Sequence, residues 1–293
     1  MNRTLRDPIA YFVFVAPSLA LFLTFFAYPL LSALRYGFTE WNGVSPAEFN
    51  GLANFARALS DPDFWVSVKN NLWFVGFSVF VQIPFILLIA VVVSALRRGH
   101  GFYKTTVFLP SILSTAVIGV IWSFVYHPEA GLLNQLLRSV GLSSWAHAWL
   151  AEEKTAMLSV LVTNAWQWTG FYVVLTLAAI FAIPKELTEA ATIDGAVGFR
   201  RAWYVTVPLI RPVIAVMVLL SVTGAMKALD IVFVMTEGGP YGTTEVMATY
   251  MYRQAYKLGD YGYANAIAIL IFVFTTALTL AMQYFNRRTE DVQ

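Results

Sequence analysis

Two groups of residues carry chemistry that apolar packing does not require. Asn164, Gln167 and Trp168 fall at i, i+3 and i+4, with Tyr172 one turn further on, so a helix would set them on one face. Amides that hydrogen-bond hydroxyls, beside aromatic faces that pack on apolar ring surfaces, suit a polyhydroxylated solute such as a sugar. The same residues would also serve helix–helix packing, with Trp166 and Trp168 partly facing lipid. The second group is Lys227 and Asp230, which are ionisable residues inside an apolar run and functional candidates by default. Placed three apart on one helix, they are expected to neutralise each other, with direct solute contact as the alternative.

A third stretch, Pro184 to Pro212, interrupts the apolar chain. Lys185, Glu186, Glu189, Asp194, Arg200 and Arg201 exclude it as a bilayer span, since each charge costs a few kcal/mol at the membrane centre. Its periodicity is still helical. Leu187, Ala190, Ala191 and Asp194 share a face, Asp194-Gly195 supplies a stop, and Ala196, Phe199 and Trp203 begin a second apolar stripe. The pattern predicts two short amphipathic helices joined by a glycine elbow, outside the membrane. Resting on the lipid surface and docking onto a protein are both compatible with it.

Catalytic motifs are missing. No Gly-x-x-x-x-Gly-Lys-Ser/Thr occurs, so the chain has no P-loop for ATP. His100, His127 and His147 fall in loops with no His-Glu-x-x-His or Gly-x-Ser-x-Gly near them, and cysteine is absent. No catalytic residue, no metal ligand and no enzyme activity is expected.

These residues must be positioned by membrane helices. Hydrophobic residues make up 58% of the chain and charged residues 12%, far from the balance of a soluble domain. The expected architecture is all-α, a single transmembrane domain over 1–293 with six spans. These run at about 11–34, 72–95, 105–126, 156–182, 205–235 and 264–284, each long enough for the roughly twenty residues a bilayer demands. The first run is longer than a signal-peptide core and lacks a convincing cleavage site, so it reads as a retained span. Pro110 is expected to kink the third span. Residues 35–71 should form a short helix or two on the outer face, and Glu237-Gly238-Gly239-Pro240 should turn the chain.

Lys and Arg counts set the orientation. With the N-terminus in the cytoplasm, inner segments hold eleven (Arg3, Arg6, Arg97, Arg98, Lys104, Lys185, Arg200, Arg201, Arg211, Arg287, Arg288). The longer outer segments hold seven, which puts both termini and the 184–204 loop inside.

One pattern in that loop is specific. Glu189-Ala190-Ala191, three residues, Gly195, nine residues, then Val205-Thr206-Val207-Pro208 resembles the EAA loop of binding-protein-dependent ABC importer permeases. Val205 and Val207 are conservative departures from that pattern. Gly51-Leu52-Ala53-Asn54-Phe55, Phe108-Leu109-Pro110, Gly131-Leu132-Leu133-Asn134 and Thr236-Glu237-Gly238-Gly239-Pro240 follow in order, so the resemblance covers nearly the whole chain and points to the carbohydrate-uptake class. Tyr28-Pro29 and Phe38-Thr39-Glu40-Trp41 are more similar to the maltose F-type and glycerol-phosphate A-type subunits than to the G-type companion.

The resemblance implies the type I ABC importer permease fold in a bacterial or archaeal inner membrane. It implies a companion G-type permease subunit, two cytoplasmic ABC ATPase subunits that bind the ATP and Mg, and an extracytoplasmic solute-binding protein. The solute would be a di- or oligosaccharide, with glycerol phosphate as the alternative. Glu189, Ala190, Ala191, Asp194 and Gly195 would dock the ATPase. Asn164, Gln167, Trp168, Tyr172, Lys227 and Asp230 would line the substrate path. No cofactor is expected in this chain, and no nucleic-acid partner. An ion-coupled secondary carrier using Lys227 and Asp230 as a relay is the competing class, but the chain shows no related halves of the kind such carriers often carry.

Overall fold

The computed structural model describes residues 8–96 and 100–290, with side chains over 12–96 and 101–284. Arg3, Arg6, Arg97 and Arg98 lie outside the described residues, as do the side chains of Arg287 and Arg288, so their part in the orientation count has no structural counterpart.

Helices joined by turns and loops make up the described chain, with one antiparallel ladder of two-residue strands, β1 (Thr39–Glu40) and β2 (Glu48–Phe49). Phe12–Gly37, Pro62–Ser94 and Tyr261–Tyr284 are long and apolar enough to cross a membrane singly. Gly101–Ile112 with Thr115–Val125, Glu153–Phe181 with Lys185–Ile193, and Gly198–Leu209 with Arg211–Met226 qualify as bent pairs, which brings the number of candidate spans to six if each pair is one span.

Proline explains much of the helix detail. The helices continue through Pro29, Pro84 and Pro208, and in each case a π-turn immediately precedes the residue before the proline: Leu23–Ala27, Ser78–Gln82 and Ala202–Thr206. There the N–H of Tyr28, Ile83 or Val207 reaches back five residues, to Leu23, Ser78 or Ala202. A proline ring clashes with the carbonyl four residues earlier and offers it no donor, so a locally wider turn lets the helix pass without a stop.

The chain divides into two compact units, residues 1–61 with 251–273 and residues 62–250 with 274–293. In the first, the β-ladder and the Ala53–Ser60 helix are held by Asn54, whose buried amide donates to the carbonyls of Gly37 and Thr39. Gly262 permits the carbonyl of Thr39 to approach the start of the last helix, a place any Cβ would occupy.

The second unit is built on Glu153–Phe181, a 29-residue helix. One buried cluster gathers Phe74, Ile118, Val160, Leu161, Ile231 and Val232. Another gathers Ile86, Ala90, Tyr172, Val173, Leu177 and Met217. The helix beginning at Pro62 starts ten residues before the expected span at 72. Asn70 and Asn71, which look like loop residues in sequence, are buried and satisfied. Asn71 donates to the Ala225 carbonyl (2.9 Å) and accepts from the Met247 N–H (2.8 Å), while Asn70 donates to the Glu245 carbonyl (2.8 Å).

Two expected spans are broken. Pro110 does not merely kink the third. It sits in a 3₁₀ turn, Leu109–Ile112, after which Leu113 and Ser114 are extended and the direction changes by 99°. The expected fifth span, 205–235, bends by 72° at Ile210 and breaks again after Met226. Pro212 occupies the first turn of the Arg211–Met226 helix, where its missing N–H costs nothing.

Candidate functional site in the broken-helix cavity

The second break corrects the expected pairing of Lys227 with Asp230. They are not on one helix: Lys227 caps the C-terminus of Arg211–Met226, and Asp230 opens Asp230–Met235. Among the described residues no ion pair joins them. Each instead complements a helix end, the cation at a C-terminus and the carboxylate at an N-terminus, as the peptide dipoles favour. Both side chains are exposed, and both face one cavity of about 330 Å³.

Asn164, Trp168 and Tyr172 line the same cavity from the Glu153–Phe181 helix. Three of the four residues of the predicted helical face therefore share one wall, and the tertiary fold brings that wall to the break. Asn164 is half-buried, with no hydrogen bond to its amide among the described residues. Trp168 is 38% exposed, and its ring meets Phe171 edge-on at 6.4 Å. Phe171 in turn lies 5.3 Å from Tyr172, also edge-on, giving a run of three aromatic rings at the wall.

Gln167 is not in that wall. Only 1% exposed, it donates from Nε2 to the Leu113 carbonyl (3.1 Å) and to the Thr115 hydroxyl (3.2 Å). The physical reason is the extended break at Leu113–Ser114, which frees backbone groups that a helix would have satisfied. Trp166 faces elsewhere, edge-on to Trp122 at 5.4 Å, on a separate apolar cavity with Phe77, Val81 and Phe85.

Sequence reasoning missed Ser78, Gln82, Thr115, Phe171 and Ser221, all of which line the cavity. A signal was available for three of them. Ser78 and Gln82 are polar residues at i and i+4 in an apolar run ahead of Pro84. Ser221 heads a small-residue stripe continuing through Gly224, Ala225 and Ala228. The Ser78–Gln82 π-turn presents the first two, and Gln82 donates to the Ala165 carbonyl at 3.2 Å. With hydroxyls, amides, three rings and one charge of each sign, the lining can hydrogen-bond and stack a polar solute of low net charge.

The second candidate surface is the charged stretch. Lys185–Ile193 and Gly198–Arg201 are the two short helices expected there, and Gly195 lies between them at φ +78°. The Ala196 N–H bonds the Ala191 carbonyl and the Gly195 N–H bonds that of Thr192, which is a Schellman closure with glycine at the left-handed position. Ala191 is buried, whereas Glu189, Ala190, Asp194 and Gly195 are exposed. Exposed beside them are Ile193 (87%), Phe199 (72%) and Trp203 (59%), the last two rings stacked at 6.4 Å. Exposed apolar side chains on short charged helices suit contact with a protein partner or a lipid surface.

Comparison with known proteins identifies the family. The model of one family, described as binding-protein-dependent transport system inner membrane component, matches residues 67–291. A probable ABC transporter permease of Bacillus subtilis, YurN, is 35% identical, with 98% of this chain and 99% of the relative covered. The trehalose/maltose transport system permease MalF of Thermococcus litoralis is 31% identical, covering 99% of this chain and 100% of the relative. Among solved structures, a chain of a bacterial ABC transporter involved in import of the acidic polysaccharide alginate superposes with a TM-score of 0.86. It is 25% identical, and 97% of each chain is covered.

Proposed function

We infer function from one premise: the chain belongs to the family of binding-protein-dependent transport system inner membrane components. It is accordingly a transporter permease subunit and not an enzyme. From there we propose that it forms half of the translocation path of an ATP-driven importer of di- or oligosaccharides. Trehalose/maltose and alginate are the solutes named for two of its relatives, and a neutral sugar suits a cavity that carries one cation and one carboxylate. The ion-coupled carrier and the glycerol-phosphate importer find no support among these relatives.

The observation that carries the reading is the cavity at the helix break. It joins the unengaged amide of Asn164 and the rings of Trp168, Phe171 and Tyr172 to Lys227 and Asp230. Amide and ammonium donors meet sugar hydroxyls, and the rings take the apolar pyranose face. A companion permease of the G-type would supply the other half.

ATP and Mg belong to two cytoplasmic ABC ATPase subunits. The helix Lys185–Ile193, with Glu189, Ala190, Ala191, Asp194 and Gly195, is the docking element, supported by its exposure and by its glycine-closed end. Both termini would then lie in the cytoplasm and the β-ladder on the outer face, where a solute-binding protein delivers the sugar.

Reconstitution tests this. A complex of this chain with its companion and ATPase, in vesicles with the binding protein and labelled maltooligosaccharide outside, should take up the sugar only with ATP inside, on the ATPase side. Uptake driven by an ion gradient without ATP would overturn the reading.

A further inference from the structure

A second cavity, of about 570 Å³, lies behind the one at the helix break. Its walls are three elements of the second unit: the helix beginning at Pro62, the Gly101–Ile112 segment and the Glu153–Phe181 helix. On the first wall Phe77, Val81, Phe85 and Ile89 form a stripe at four-residue spacing. On the third, Val162, Ala165, Trp166 and Thr169 fall at i, i+3, i+4 and i+7, which is one helical face. Asn164 and Trp168 occupy the other face, toward the solute cavity. Gln82 lines both cavities and so stands in the partition between them.

This lining has the opposite chemistry to the first. The Gln82 amide donates to the Ala165 carbonyl (3.2 Å), and the Thr169 hydroxyl donates to the same carbonyl (2.7 Å). Both polar side chains are thus turned onto the backbone. Apart from Thr106, the remaining lining is aliphatic or aromatic, with the Pro110 ring. A cavity of this character excludes water and takes an apolar occupant.

Depth and shape decide which occupant. Residues 162–169 are central turns of a 29-residue helix, and residues 77–89 lie inside the 33-residue span Pro62–Ser94. In an inner membrane component such turns lie at the depth of the hydrocarbon core. Residues 77–89 extend about 18 Å at 1.5 Å per residue, so the cavity averages about 30 Å² in cross-section, against about 80 Å² for a helix 10 Å across. The space suits a slim chain and is too narrow for a helix of a companion subunit.

We propose that this cavity seats one acyl chain of a membrane phospholipid, and that the seated chain backs Gln82 where it lines the solute path. The second half rests on the importer reading and the first does not. A straight chain lies along the stripe and keeps the Gln82 amide against Ala165. A chain thickened by methyl branches does not enter, and the partition then loses its support on the lipid side.

The test uses Trp166, which lines the cavity and is 44% exposed. The assembled complex is reconstituted in phosphatidylcholine brominated at mid-chain, which quenches the fluorescence of a tryptophan it touches. The share due to Trp166 is the difference between complexes with and without Trp166→Phe. Val162→Phe, at an exposed position on the same wall, and Ala165→Leu each fill the cavity with a tethered side chain and should largely abolish that share. ATP-driven sugar uptake by the wild type should fall about fivefold when straight chains are replaced by phytanoyl chains, a modest coupling between two sites. The two filled variants should transport equally in both lipids.

An unquenched Trp166 in the wild-type complex overturns the proposal, because a protein surface then covers the cavity. Quenching that both filled variants leave intact overturns it as well, since the lipid is then only the surrounding bilayer. So does an equal loss of uptake in wild type and filled variants on changing to phytanoyl chains. A wild type that takes up no sugar in either lipid overturns the importer reading instead, and the quenching then decides the acyl-chain site by itself.

Discussion

The side-chain amide of Gln167 reaches the carbonyl of Leu113 at 3.1 Å and the hydroxyl of Thr115 at 3.2 Å, so one residue bridges both sides of the break in the third span. Thr115 lines the cavity, and Gln167, bonded behind it, does not.

Gln167→Leu should consequently act on stability. Leaving the Leu113 carbonyl without its donor in a buried site costs roughly 1–3 kcal/mol. Thermal unfolding in detergent should shift downward, while uptake per assembled complex stays near wild type. A selective loss of uptake with unchanged stability would return Gln167 to the path.

Trp168→Ala and Asn164→Ala should behave in the opposite way. Both side chains face the cavity, and neither is fully buried. Loss of one stacking face should lower uptake about tenfold, the equivalent of about 1.4 kcal/mol, without changing the amount of complex. Wild-type uptake in both variants would reduce these residues to packing.

Glu189→Lys should release the ATPase. The carboxylate is exposed on a short helix, and reversing its charge against a complementary partner costs several kcal/mol. Gly195→Val should weaken the same contact, because a β-branched residue resists φ +78° and would open the helix end. Co-purification of the ATPase with each variant reads the result directly, and intact co-purification in both would refute the docking assignment.

Gly170→Ala should disrupt the second unit despite its small size. A Cβ there would meet the backbone carbonyl of Val107, which a side-chain rotation cannot relieve. Overpacking of this kind costs about 1–3 kcal/mol or more. A melting temperature equal to wild type would mean that the two helices can separate freely.

The bend at Ile210 makes the fifth span a candidate lever. Labels at Ala202 and Val222 would perturb buried sites, whereas Tyr204 and Val216 are exposed on either side of the bend. Spin labels there should report a changed separation when the complex is trapped with a non-hydrolysable nucleotide. An unchanged separation would mean that the span moves as one rigid piece.

Much of this was legible in the residue order, for physical reasons that act locally. Twenty apolar residues without charge must cross a bilayer as helix, because lipid offers no partner to free backbone groups. Asp194-Gly195 after a short amphipathic repeat reads as a helix end, because glycine alone enters the left-handed region without strain. The spacing of Asn164, Trp168 and Tyr172 reads as one helical face. What the residue order could not determine was where helices break and what fills the break. The Leu113–Ser114 break is stabilised by Gln167 from 54 positions away, and the close approach of Val107 is permitted by the missing Cβ of Gly170. Lys227 and Asp230, three apart, look like a helical pair because local spacing assumes a continuous helix. Only the tertiary structure separates them, when Asn71, 154 positions from Ala225, takes that residue's carbonyl beside the point where the helix ends. Donors that arrive from distant helices decide such sites, and their arrival is a property of the packed chain.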